Sequence, residues 1–339
     1  MIKWRIVHII FWLMLALSAK AQDIEFSQFY ANRLYLNPAL AGSEFAPIAS
    51  ISYRNQWPQN NNPFVTYTIS FDQYSDIING GIGLLVVQDN QGDGTIKTTM
   101  VSGMYSYSLN IDRNFSINAG LKATYVQKKL DWETLVFSDM IDPLYGVIYP
   151  GREVRPASLS HSYFDFSFGL VANYKNFYFG AVADHMSEPD EAFHKDQYTA
   201  ILPRKYTIHA GSLIPIGYSR GLMKSDNALS PNILYQKQQD FEQINYGLYF
   251  SRINWVVGAW FRQNLSFDLD AFIILIGYQT DRVRIGYSYD YVVSKLVKTN
   301  SGAHEISLTY LLGKTRTSCS GSHYFKKKRR IRAIKCPKF

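Results

Sequence analysis

The sequence predicts an all-β protein, a transmembrane antiparallel β-barrel of about fourteen strands. Three observations carry that reading. First, from Ile48 to Gly313 short runs of about ten residues alternate apolar or aromatic with small polar side chains. Second, the leading residues form an export signal, and no later apolar run reaches the roughly 18 residues of a membrane helix. Third, the connections between runs are short and long by turns, the asymmetry of outer-membrane barrels.

Residues 1–21 read as a signal peptide. Lys3 and Arg5 precede an apolar stretch from Ile6 to Leu17, and Ala19-Lys20-Ala21 fits cleavage before Gln22. The residue right after that point is Gln22 and not a cysteine, which argues against a lipoprotein. A retained anchor is the competing reading of this stretch.

Residues 22–47 are too aromatic for a free linker, and Asn37-Pro38 marks a turn. The expectation is a segment that packs into the barrel, with Phe26, Phe29, Tyr30 and Tyr35 plugging its periplasmic mouth.

Residues 48–313 supply the strands. Val65, Tyr67, Ile69 and Phe71 alternate with Thr66, Thr68, Ser70 and Asp72. Ile117, Ala119, Leu121, Ala123 and Tyr125 alternate with Ser116, Asn118, Gly120, Lys122 and Thr124. Phe164, Phe166, Phe168 and Leu170 flank Asp165, Ser167 and Gly169, while Ile285, Tyr287 and Tyr289 flank Arg284, Gly286, Ser288 and Asp290. One face suits hydrocarbon and the other water. Because hydrocarbon offers no hydrogen bonds, a spanning sheet must close on itself. A soluble sandwich is the alternative, but a chain this long would then usually show a second domain or more helix. Aromatic content of 15%, with 25 Tyr and 21 Phe, fits the ring girdles at lipid headgroups.

The turns at Asn110–Arg113, Tyr174–Asn176, Ser251-Arg252 and Thr280-Asp281 each follow an even-numbered strand. The longest connections, Lys128–Ser162 and Met186–Lys205, follow odd-numbered ones. This predicts long loops outside, with both termini in the periplasm. The stretch from Gly217 to Asn227 breaks the rule, since it follows the eighth strand yet is not short.

Residues 314–339 form a basic tail with ten Lys and Arg and no acid. With three further cations in the leader, 22 of the 35 remain against 27 acids, so the body carries about −5. The positive charge is therefore a tail and not a nucleic-acid patch. Lys326, Lys327, Lys328, Arg329, Arg330 and Arg332 are a solvated run or a docking arm for an acidic partner or anionic lipid. Cys319 and Cys336 could close a disulfide there or pair with a partner, and with His323 they give only three zinc ligands.

Catalytic sets are weak. Asp184-His185 are neighbours in a strand, whose side chains point to opposite faces. Asp268 and Asp270 share a face and are expected to be satisfied by Arg282 or Arg284. Asp89–Gly94 has the flavour of a calcium loop but lacks the downstream acid, so a hairpin turn is the better reading. No catalytic residue, metal or cofactor is assigned.

Three signatures name a family. They are Phe26-Ser27-Gln28-Phe29-Tyr30 followed by Asn37-Pro38-Ala39 and Ala41-Gly42; Tyr53-Arg54-Asn55-Gln56-Trp57-Pro58; and Phe64, Thr66-Tyr67, Ser70, Asp72. Together they resemble the PorP/SprF family of Bacteroidetes outer-membrane proteins. Arg33 departs from the proline expected before Leu34. The resemblance implies a non-enzymatic barrel accessory to type IX secretion, in some members linked to gliding motility. It also implies partners among the secretion components and a large adhesin-like substrate with a C-terminal sorting domain. Arg54, Gln56 and Trp57 sit where a strand ends, either anchoring the N-terminal segment or touching a partner; Gly80, Gly81 and Gly83 suit close approach of that segment. A porin or hydrophobic-solute channel is the alternative function, and an outer-membrane hydrolase the third.

Overall fold

A computed structural model describes residues 23–60, 63–112, 114–155, 158–193, 199–216, 227–265, 269–293 and 302–313. The basic tail, Cys319, Cys336, His194, Asp268 and the Gly217–Asp226 stretch lie outside them.

Fourteen antiparallel staves form the barrel: β1 (Ile48–Gln56), β2 (Phe64–Ser75), β3 (Gly80–Gln91), β4 (Ile96–Asn110), β5 (Phe115–Leu130), β6 (Ser160–Tyr174) and β7 (Phe177–Asp184) make the first half. The second half is β8 (Lys205–Ser212, continued by Ile214–Ile216), β9 (Asn227–Gln238), β10 (Phe241–Arg252), β11 (Trp255–Gln263), β12 (Leu269–Gln279), β13 (Val283–Val292) and β14 (Ala303–Leu311). Each pairs with its sequence neighbours, and β1 pairs with β14 from Ile48↔Leu311 to Gln56↔Ala303, which closes the sheet. Closure satisfies both edges and lets the structure span hydrocarbon. Among the described residues no helix is long and apolar enough to cross a membrane.

The alternation read from the sequence sorts outward from inward. Ile69, Leu121 and Phe164 are 58%, 60% and 65% exposed, while Thr68, Thr124 and Asp165, on the other face of the same strands, are buried. Apolar side chains thus face lipid, and the hydroxyls, amides and charges face the lumen.

The fourteen expected strands are all present. Two connections refine the loop pattern. The loop between β5 and β6 carries a small hairpin, Ile141–Asp142 with Gly146–Val147. At the same long-loop end, Gln239-Asp240 make only a two-residue turn between β9 and β10, and the longest connections there are β5–β6 and β7–β8. Asp89 lies in β3, bonded by Thr66 and Gln91, and the Gly92, Asp93 and Gly94 that follow all have positive φ, as a tight turn requires.

Residues 23–46 run through the lumen. Asp23 meets His185 just beyond β7, at the long-loop end, whereas Gly42 lies beside Tyr74 and Gly81 at the short-turn end. The chain then turns at Pro47 into β1, beside Gly313. Asp23 and Gly313, the first and last described residues, are therefore at opposite mouths.

Candidate functional site

The lumen is filled by the N-terminal segment, and the first family signature explains how. Ser27 and Gln28 face one wall. Ser27 N and Oγ donate to Glu305 Oε2 (2.7 Å) and Asp290 Oδ2 (2.5 Å), and Gln28 Nε2 donates to the Glu305 carbonyl at 2.8 Å. Phe29 and Tyr30 face the other, packing on Trp260, Tyr249 and Tyr178. Alternating polar and aromatic residues thus match a lumen that is polar on β13–β14 and aromatic on β7, β10 and β11.

Arg54 joins the second signature to the first. Its guanidinium donates to Ser27 Oγ (2.6 Å), Asp290 Oδ2 (3.1 Å) and Glu305 Oε2 (3.2 Å) while only 3% exposed. A buried cation among two carboxylates is stable only while all partners are in place. Arg54 thus ties the N-terminal segment, through Ser27, to the acids of β13 and β14. Gln56 and Trp57 instead line the cavity described below, with the Trp57 ring 5.2 Å from Phe64.

Asn37-Pro38-Ala39 forms the next anchor. Asn37 Oδ1 accepts from Ala39 N at 2.9 Å, capping the short helix Pro38–Leu40, and its Nδ2 donates to the Leu170 carbonyl at 3.1 Å. A proline at the first helical position has no N–H to satisfy. Here the segment touches the wall where the wall has no side chain. A Cβ on Gly120 would lie 2.3 Å from Ala39 N, and one on Gly169 2.2 Å from Asn37 Oδ1. Gly81 plays the same part for Ala41, at 2.1 Å from its carbonyl oxygen.

Charges fasten the short-turn end. Arg33, the residue standing where a proline was expected, pairs with Asp72 at 2.7 Å, and Asp72 also accepts from Gly42 N at 2.8 Å. Arg284 holds Glu44 through both nitrogens. Arg284, one of the two arginines expected to serve Asp268 or Asp270, thus takes a partner from the N-terminal segment, and Asp268 lies outside the described residues.

Of the aromatic plug candidates, Phe26, Phe29 and Tyr30 are buried and Tyr35 is half-buried. Tyr30 sits deep in the lumen, and Phe26, Phe29 and Tyr35 border a cavity at the long-loop end. The short-turn mouth is stopped by Leu40–Ala46 instead, because the segment runs the full depth of the barrel.

The cavity, a vestibule of about 450 Å³, has the segment as its floor and Trp57, Phe64, Lys128 and Tyr163 on its walls. Ion pairs line it: Lys122 with Asp184 (2.7 Å), Lys128 with Glu191 (2.5 Å), and Asp23 with both His185 (2.8 Å) and Lys205 (3.4 Å). His185 Nδ1 faces Asp165 Oδ2 at 2.7 Å. Burial alone would lower the His185 pKa, but Asp23 and the hydrogen bonds from both ring nitrogens push it up to about 10. Burial raises Asp23, yet His185 and Lys205 outweigh it and hold the carboxyl well below its usual range. With both ring nitrogens donating to carboxylates, His185 is an imidazolium clamp. Asp184 turns to Lys122, so the adjacent Asp184-His185 pair does not converge. His209 lies in the core against Asn37, and His161 faces the Asp190 carbonyl. Among the described residues no group of three or more His, Cys, Asp or Glu is placed to hold a metal.

Sequence reasoning missed Asp23, Glu44, Asp165 and Lys205. The inward position of Asp165 was legible from the alternation; their partners, across the barrel, were not.

Such a fold defines an outer-membrane β-barrel occluded by its own N-terminal segment. The chain belongs to the type IX secretion system membrane protein PorP/SprF family, whose model matches residues 18–310. No curated protein matches the chain. Among solved structures it is similar to the Acinetobacter baumannii outer membrane protein Omp33, at 12% identity and a TM-score of 0.43 over 80% of this chain and 99% of that one. The Ralstonia pickettii toluene transporter TbuX is similar at 9% identity and a TM-score of 0.47, over 82% and 92% of the two chains.

Proposed function

We propose that this barrel is a non-enzymatic accessory of type IX secretion that holds a cognate secreted protein at the cell surface and does not conduct it. The observation that supports this reading is the filled lumen: residues 26–46 are almost wholly buried and tied to the wall by Arg54, Asn37, Arg33 and Arg284. A barrel so occupied offers neither a polypeptide nor a solute a through-path, which weighs against a porin or hydrophobic-solute channel. The partner surface is then the long-loop end, taken to face outside, and the partner a large secreted protein with a C-terminal sorting domain. The basic tail, leaving on the short-turn side, docks an acidic periplasmic component of the machinery.

The test is affinity capture of the full chain from native membranes with and without charge reversal of Lys326–Arg332. The expected result is co-purification of a secreted protein with both forms and loss of a periplasmic partner with the reversed tail. Capture of neither, together with strong ion conductance of the purified barrel, would sink the reading.

A further inference from the structure

The vestibule floor shows how a peptide is recognised there. Asp23 places Oδ2 2.8 Å from His185 Nε2 and 3.4 Å from Lys205 Nζ. His185 is oriented from behind by Asp165, which also accepts from Ser187 Oγ at 2.8 Å. One residue on, the Ile24 carbonyl accepts from Tyr35 Oη at 2.7 Å. Two further on, the Phe26 ring meets Tyr35 edge-on, with centroids 4.8 Å apart and planes at 76°. The Tyr35 ring is itself held beneath two ammonium groups, Lys122 and Lys205, each 6.0 Å from its centroid. The acid is thus read by His185 and Lys205 of the barrel, and the backbone carbonyl and the aromatic ring three residues beyond the acid are both read by Tyr35, further along the segment itself.

The segment is already anchored along its length by Arg54, Arg33 and Arg284, and the His185–Lys205 pair lies at the open cavity, where Asp23 and His185 keep 17% and 16% side-chain exposure. A tethered occupant competes at an effective concentration on the order of millimolar, so a free peptide of like chemistry gains the site only when the occupant is weakened or the peptide is abundant.

We propose that His185, Lys205 and Tyr35 form a recognition site for an acid-x-x-aromatic peptide segment of a partner protein, occupied in cis by Asp23–Phe26. The site is independent of the secretion reading: peptide binding is measured on the purified barrel, and its failure leaves the capture experiment untouched.

The probe is a fluorescein-labelled Asp-Ile-Glu-Phe amide, titrated by anisotropy against the full chain in detergent. Asp23→Asn, which weakens the resident occupant, is expected to bind it at least ten-fold more tightly than the unaltered protein. Adding Lys205→Gln should remove that gain, and a probe beginning with Asn should not bind. Equal binding of the two probes, or no binding to Asp23→Asn, overturns the proposal. If Asp23→Asn fails to insert, the unaltered site is read through Ile24→Cys in a background of Cys319→Ser and Cys336→Ser. Excess peptide should then speed maleimide labelling several-fold, and an unchanged rate overturns the proposal equally.

Discussion

Arg284 on β13 grips Glu44 with both guanidinium nitrogens, at 2.8 and 2.5 Å, across 240 residues of sequence. The pair is buried and lies at the mouth opposite Asp23, so it fastens the trailing end of the lumen segment while the His185 clamp fastens the leading end. In Arg284→Ala the Arg33 guanidinium, 3.5 Å from Glu44, is still in place. Removing one partner of a buried pair costs about 3–5 kcal/mol. The temperature at which the folded band is lost in a heat-modifiability gel should fall, and Glu44→Gln with Arg284→Met should recover part of the loss.

Deleting Asp23–Pro38 removes the residues that fill the centre of the lumen. Single-channel recordings should show negligible conductance for the intact chain and open, weakly selective currents for the deletion. Silent channels in both would mean that the loops close the barrel without help.

The glycine contacts separate plug seating from strand pairing. At Gly120 or Gly169 a valine would collide with Ala39 or Asn37, whereas a Cβ on Gly103 meets nothing within 4 Å. Overpacking of this kind costs about 1–3 kcal/mol. Gly120→Val and Gly169→Val should lower the unfolding temperature and raise conductance, and Gly103→Ala should do neither.

The clamp at the vestibule has a defined pH window. His185 is raised from 6.5 to about 10, so its contribution is complete below its ordinary value and is lost as the pH climbs through about 10. Asp23 is lowered, so its contribution is complete above 3.8 and is lost as the pH falls below that. A spin label on Ile24→Cys, with both tail cysteines changed to serine, should stay immobile from about pH 5 to 8 and loosen toward pH 10. His185→Gln removes one charged partner of Asp23 and leaves Lys205 and the Tyr35 contacts, and the label should already be more mobile at neutral pH.

The strand count and the lipid-facing set were readable because alternation is local: a strand in hydrocarbon must show its face every second residue, whatever it pairs with. Thr68, Asp165 and Ser288 could be placed inward on that ground alone. The family signatures were also local, and they marked the residues that hold the segment without saying what they hold. Ser27 and Arg54 are 27 residues apart, and their shared partners Asp290 and Glu305 lie more than 200 further on. No periodicity links such positions.

By itself, then, the sequence determined an exported, closed antiparallel barrel with a polar lumen and an aromatic leading segment, since each follows from short-range pattern and the absence of hydrogen bonds in lipid. Only the tertiary structure decided that this segment traverses the barrel from the long-loop mouth to the other, that Arg33 and Arg284 are its fasteners, and that a cavity stands above it. Those facts depend on which wall faces which side chain once the sheet has closed, and closure brings together charges whose partners lie tens to hundreds of residues away.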